Sequence, residues 1–234
     1  MTKLKNIPTF PAETFFKKEC EKELKKIKKG LFSLQNKFYA DGRYGLLIIL
    51  QGIDTSGKDG TAHHAFSSMI PKGVHVTSFK APIGREPEHD FLWRIYPYIP
   101  GKSRIGVFNR SYYENILVPA LNESLRKEDI QHRCQLINEL EDHLIRNNIH
   151  VLKSFLHIYE EEQKKKPEER KTNPSKKWKY SVADSKAPAE LKENTYYMVI
   201  ESCSQHPWHI IPTDKRWYCN YSIAKILSGH LKKT

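Results

Sequence analysis

Apolar residues along this chain follow two rhythms. From residue 11 to 38 they recur near helical spacing, at Phe16, Leu24, Ile27, Leu31, Leu34 and Phe38, among lysines and glutamates. That pattern predicts an amphipathic helix with its lysine runs on the solvated face. Asp41-Gly42 breaks it. Leu46 to Leu50 is then a continuous apolar run, the mark of a strand buried on both faces. Val74 to Lys80, Arg104 to Phe108, Ile149 to Ile158 and Trp208 to Ile211 read as further strands. Between them the helical rhythm returns. A helix is predicted from Lys58 to Met69, and another from Glu86 to Tyr96 with Pro87 in its first turn. Ile130, Cys134, Ile137, Leu140 and Leu144 define the stripe of a third. Residues 187–204 and Asp214 to Leu231 complete the set, with Asp214 as N-cap. The βαβαβ alternation predicts an α/β fold with a parallel, doubly wound sheet.

The stretch after the first strand carries the chemistry. Gly52 to Lys58 matches G-x-x-x-x-G-K. Such a loop turns its backbone N–H groups around phosphate oxygens, aided by the N-terminus of the next helix, while the lysine reaches the terminal phosphates. Gly52, Ser56, Gly57, Asp59, Gly60 and Thr61 are therefore candidate phosphate or nucleotide contacts. A standard loop of this kind has Ser or Thr after the lysine to hold magnesium; here that position is Asp59, and Thr61 comes two residues later. Asp54 lies inside the loop, where a carboxylate beside phosphates needs a cation between them. It is the first candidate Mg²⁺ ligand. The bland alternative is a glycine-rich turn with a solvated Asp and Lys.

Other candidates sit at predicted strand ends, the edge where ligands bind in open parallel sheets. Lys80 ends the second strand. Arg94 either forms an i,i+4 ion pair with Asp90, worth about 0.2–0.5 kcal/mol, or contacts an anion. Asn109 occupies the place where a P-loop enzyme usually has a magnesium-supporting Asp. Glu114 is the candidate replacement carboxylate and second metal ligand, and Arg110 is placed to neutralise a transferring phosphoryl group. For these two the alternative is a local ion pair.

Composition narrows the partners. There are 39 Lys and Arg against 27 Asp and Glu, a formal charge of +12. That excess favours a polyanion: nucleic acid, an anionic membrane or a phosphate polymer. Nine of the basic residues lie between Lys164 and Lys186, which reads as a basic lid over residues 160–186. A solvated helical hairpin is the alternative. The four cysteines are dispersed and form no C-x-x-C, so reduced thiols and no zinc site are expected. No apolar run reaches the length of a membrane span or a signal peptide, so a cytoplasmic protein is expected.

Several segments together resemble the polyphosphate kinase 2 family. They are Leu50-Gln-Gly-Ile-Asp-Thr-Ser-Gly-Lys-Asp-Gly60, Thr77-Ser-Phe-Lys-Ala-Pro82, His89-Asp-Phe-Leu-Trp-Arg94 and Ile105-Gly-Val-Phe-Asn-Arg-Ser-Tyr-Tyr-Glu-Asn-Ile-Leu-Val118. Glu161 to Lys165, Trp178 to Asp184 and Trp208 to Lys215 follow in the same order. The resemblance implies one domain over 1–234, a P-loop kinase-like three-layer αβα sandwich with a helical lid. Its parts would be an N-terminal helix (12–42), a core (45–158), the lid (160–186) and a C-terminal part of the core (187–231). It implies Mg²⁺- or Mn²⁺-dependent, reversible phosphoryl transfer between inorganic polyphosphate and adenine or guanine nucleotides, by a homodimer or homotetramer. Asp54 looks like the family's metal-associated aspartate and Lys58 like its phosphate-binding lysine. Asn109 with Glu114 is similar to the branch that phosphorylates nucleoside monophosphates as well as diphosphates. In the lid, Lys166, Arg170, Lys176 and Asp184 are implied polyphosphate contacts; Lys166 stands where an arginine is expected, and Pro167 interrupts the helix. Two other readings fit parts of the sequence: an ATP-dependent P-loop nucleotide kinase, and a basic nucleic-acid-binding protein in which Trp178 and Tyr180 stack on bases.

Overall fold

A computed structural model describes residues 4–53, 55–159, 162, 189–203 and 205–234. Five strands form one parallel sheet: β1 (Gly45–Gly52), β2 (Val74–Ser78), β3 (Ile105–Asn109), β4 (Ile149–His157) and β5 (Trp208–Pro212), in the order β2-β3-β1-β4-β5. Every residue of β1 is buried, as its unbroken apolar run requires of a central parallel strand. Successive residues of β1 point to opposite faces and seed two cores. Leu46, Ile48 and Leu50 pack on one side with Leu31 and Phe38 of α1 (Lys17–Asp41), Ala65 of α2 (Lys58–Phe66) and Ile223 and Leu227 of α6 (Arg216–Leu231). Leu47 and Ile49 pack on the other side. Their neighbours are Ile116 of α3 (Glu114–Leu121), Ile137 of α4 (Lys127–Arg146) and Val199 of α5 (Ala189–Ser202). The result is a three-layer αβα sandwich, in which each fully buried Leu or Ile contributes about 1.5–3 kcal/mol.

The chain leaves β1 toward β2 and β3 on one side, then crosses to β4 and β5 on the other. This reversal is the topological switch point, and its carboxyl edge is where such sheets bind ligands. Two expectations are corrected. Residues 86–96 do not form a helix; two short 3-10 turns, Glu86–Glu88 and Tyr96–Tyr98, flank non-helical turns. The Asp90 carboxylate accepts from the Leu92 N–H at 2.9 Å, a local bond that competes with helix formation. Asp214 does not cap α6, which starts at Arg216 with Lys215 as its cap position; the Asp214 carboxylate instead accepts from the Tyr159 N–H at 2.9 Å. The strand pattern also passed over α3, eight residues long and containing Pro119. The predicted lid, apart from Glu162, lies outside the described residues. Among the described residues no helix is long and apolar enough to cross a membrane, and the four cysteines are buried and not in disulfide bonds.

Candidate active site

The loop between β1 and α2 is built on backbone constraints. A Cβ on Gly52 would lie 2.7 Å from Ser56 Oγ and 2.8 Å from the Leu156 carbonyl, so only glycine fits there. Gly57 has φ +98° and leads into α2, a left-handed conformation that costs glycine little. Lys58 is buried, and its amine donates to the Gly52 and Ile53 carbonyls at 2.5 and 3.1 Å. The Ser56 hydroxyl is buried with no hydrogen-bond partner among the described residues. A buried orphan of this kind points to a missing acceptor or donor in the loop. Gly60 lies in α2 with open space around it, so no crowding demands glycine there. Thr61 turns away: its hydroxyl meets Cys219 Sγ at 3.3 Å, in the contact between α2 and α6. Asp54 lies outside the described residues, as do Lys166, Arg170, Lys176 and Asp184.

The end of β3 faces this loop. Asn109 is buried and donates its amide to Asp59 Oδ1 at 2.6 Å and to Ser78 Oγ at 3.3 Å. Arg110 follows in a left-handed conformation (φ +62°), with its N–H bonded to the Leu50 carbonyl of β1 at 3.1 Å. Non-glycine residues held in this region are strained and cluster at functional sites. Arg110 Nη1 and Glu114 Oε2 are 3.9 Å apart, so the local ion pair allowed by the sequence forms, though loosely. Glu114, the first residue of α3, accepts from Gln51 Nε2 at 2.6 Å. Ser111 Oγ in turn donates to Gln51 Oε1 at 3.4 Å and accepts from the Tyr113 N–H at 3.2 Å. Gln51 was not among the sequence candidates. The available signal was a lone amide at the end of an apolar strand, one residue before the loop.

Lys80 and Arg94 meet beyond β2. Arg94 Nη2 donates to the Lys80 carbonyl at 3.0 Å, and its guanidinium lies 5.4 Å from the Phe79 ring centre. Its ionic partner is Glu86 at 3.4 Å, not Asp90. Arg94 Nε is buried with no partner among the described residues. Next to it opens a cavity of about 420 Å³, lined by Pro87, Phe91, Arg94, Asn115, His132 and Arg133. Arg133 covers the Phe91 ring at 4.9 Å and donates to the Asn115 carbonyl at 2.6 Å. The cavity thus begins one residue from Glu114.

A glycine-constrained loop, a buried lysine, an arginine and two carboxylates therefore converge on the carboxyl ends of β1 and β3. The family model for polyphosphate kinase 2 matches residues 14–234. An AMP/ADP-polyphosphate phosphotransferase of Meiothermus ruber is 36% identical over 86% of this chain and 77% of its own length. An ADP-polyphosphate phosphotransferase of Rhodopseudomonas palustris is also 36% identical, over 85% of this chain and 74% of its own. The crystal structure of polyphosphate kinase 2 from Arthrobacter aurescens superposes with a TM-score of 0.91 at 34% identity, covering 98% of this chain and 85% of the other. With its sheet order, its loop and these matches in agreement, the chain belongs to the polyphosphate kinase 2 family.

Proposed function

We propose that this protein transfers phosphoryl groups reversibly between inorganic polyphosphate and a nucleoside mono- or diphosphate. The observation that carries the reading is the convergence of Lys58, Asp59, Asn109, Arg110 and Glu114 at one sheet edge, in a family whose similar members are named for this reaction. We assign the acceptor nucleoside to the cavity beside Arg94 and Asn115, so that its phosphate faces Glu114 and the loop. The relatives differ in the acceptor they are named for, and Asn109 with Glu114 supports use of both AMP and ADP.

The donor set fits a divalent ion. Among the described residues no three His, Cys, Asp or Glu side chains could hold a metal together. Mg²⁺ seldom needs such a cage: one or two carboxylates suffice when substrate phosphates complete its shell. Asp59 and Glu114 supply carboxylates here, and Asp54 is the further candidate from the loop sequence. When bound, the ion would neutralise charge on the phosphates. Lys58, now resting on two loop carbonyls, would exchange them for phosphate oxygens. Arg110 would stabilise charge on the transferring group, and the loop N–H groups would hold it in line. No covalent nucleophile is required, because positioning and electrostatics carry most of phosphoryl-transfer catalysis.

The test is ATP formation from long-chain polyphosphate and Mg²⁺, with AMP alone or ADP alone as acceptor and adenylate kinase excluded. ATP from both supports the full reading. ATP from ADP alone removes monophosphate use. ATP from neither, in a folded protein, rejects the polyphosphate donor and favours an ATP-dependent nucleotide kinase.

A further inference from the structure

The bond between Asn109 and Asp59, 2.6 Å long, ties the end of β3 to the first turn of α2. A carboxylate only accepts, so the amide must present its N–H₂ to Asp59, and its second proton goes to Ser78. Both amide protons of Asn109 are therefore committed from a buried position, while Asp59 stands exposed in the first turn of α2. A first-turn acid that only complements the helix dipole needs no amide reaching in from another strand. The orphaned Ser56 hydroxyl in the same loop independently marks this edge as built for a ligand.

We propose that Asp59 carries the metal-facing carboxylate that P-loop enzymes ordinarily mount at the end of β3, and that Asn109 is the positioning residue that aims it. The charge has crossed the gap between strand and helix, and the amide left behind holds it in place. The arrangement explains why the end of β3 carries no charge. An acid at position 109 would set two carboxylate oxygens 2.6 Å apart, and such a pair repels unless one is protonated or a cation bridges them. The proposal rests on the magnesium-dependent reading above, but polyphosphate takes no part in its test.

The test compares ADP affinity with and without Mg²⁺, by calorimetry, for the full-length protein and the variants D59N, N109A, N109D and D59N/N109D. In the unsubstituted protein Mg²⁺ should tighten ADP binding. D59N should lose at least about tenfold of that gain, and N109A a smaller part, as expected for a ligand and for the group that orients it. N109D should weaken ADP binding without the ion, by adding a second negative charge. D59N/N109D restores one acid and one amide across the same gap, and should recover most of the magnesium gain. A merely structural bond would change thermal stability and leave the magnesium gain intact. Full magnesium gain in D59N overturns the proposal, as does a swapped pair no better than D59N. Failure of ATP formation from polyphosphate, with the magnesium effects as described, would count against the donor and not against Asp59.

Discussion

Tyr112 and Tyr113 lie between Arg110 and Glu114 in the chain, yet the four side chains enter two different kinds of polar cluster. Both tyrosine hydroxyls donate to Glu141 Oε1 at 2.8 Å. Glu141 Oε2 pairs with Lys153 at 2.7 Å, and the lysine also donates to the Tyr113 hydroxyl and the Cys203 carbonyl. Lys153 and Glu141 are both fully buried. Burial pulls the Lys153 amine below its usual pKa against the attraction of Glu141, and it drives both tyrosine hydroxyls well above theirs. Arg110 and Glu114 meet at 3.9 Å, and both are partly exposed. The first cluster answers its own polar groups within the protein. In the second, Arg110 and Glu114 keep part of their surface at solvent, where the proposed function would bring phosphates to them. On the proposed function the first serves stability and the second chemistry, although a single five-residue turn feeds both.

Removing the charge of Glu141 should have the largest effect. Glu141→Gln leaves Lys153 buried without its counter-ion, and urea unfolding should show a loss of about 3–5 kcal/mol. Turnover per folded molecule should change little. Replacing both partners, as E141L/K153M, should recover part of the loss but not all, because the two tyrosine hydroxyls would still lack their acceptor. A double variant as stable as the parent would show that the tyrosines do not depend on Glu141.

The reverse result is expected at the open cluster. Glu114→Gln keeps the shape, and its side chain can still bond Gln51, but it removes the carboxylate that the proposed function places beside the phosphates. Steady-state kinetics should show kcat lower by about 10²-fold, roughly 2.7 kcal/mol in the barrier. Stability should stay within about 0.5 kcal/mol. A Glu114→Gln protein that unfolds easily but turns over normally would erase the distinction between the two clusters.

The contrast also explains what could be read from the sequence. The apolar run of β1 and the loop from Gly52 to Lys58 are local patterns, and they located the central strand and the glycine-constrained loop that follows it. Asn109 and Glu114 were legible because a strand end has a known place in such a sheet. The bonds that aim them were not. Gln51 and Glu114 are 63 residues apart, and Asp59 and Asn109 are 50 apart; only the parallel pairing of β1 with β3 brings them together. Lys153 could have been noticed as a charge within an apolar strand, but its partner on α4 depends on how that helix seats on the sheet. The ion-pair reading of Arg94 with Asp90 fails for a related reason. Four-residue spacing pairs it with Asp90 only in a helix, and Asp90 spends its carboxylate on the backbone of Leu92.

The smallest predicted effect uses a third polar pair, at the opposite edge of the sheet. His150, at the start of β4, and His230, near the end of α6, share a hydrogen bond of 2.9 Å between Nδ1 and Nε2. Burial lowers the pKa of both. That of His230 falls from 6.5 to about 4, with His150, His209 and Lys233 adding unfavourable positive charge. The Tyr44 ring packs against His150. The folded state therefore resists a proton that the unfolded chain accepts. Stability from His230 is complete above about pH 6.5 and is lost as the pH falls toward 4. The loss should be on the order of 1–2 kcal/mol for a pair that remains partly accessible. Carboxylates titrate in the same window, so the informative quantity is the difference between the parent and H150F/H230L. Its unfolding midpoint should fall less steeply with acid, while magnesium-dependent ADP affinity at neutral pH stays unchanged, because the pair lies across the sheet from the phosphate loop. Parallel pH curves would show that these histidines titrate alike in both states. A change in ADP affinity would show that the two edges of the sheet are coupled, and that the separation of stability from chemistry seen around Arg110–Glu114 does not extend through the fold.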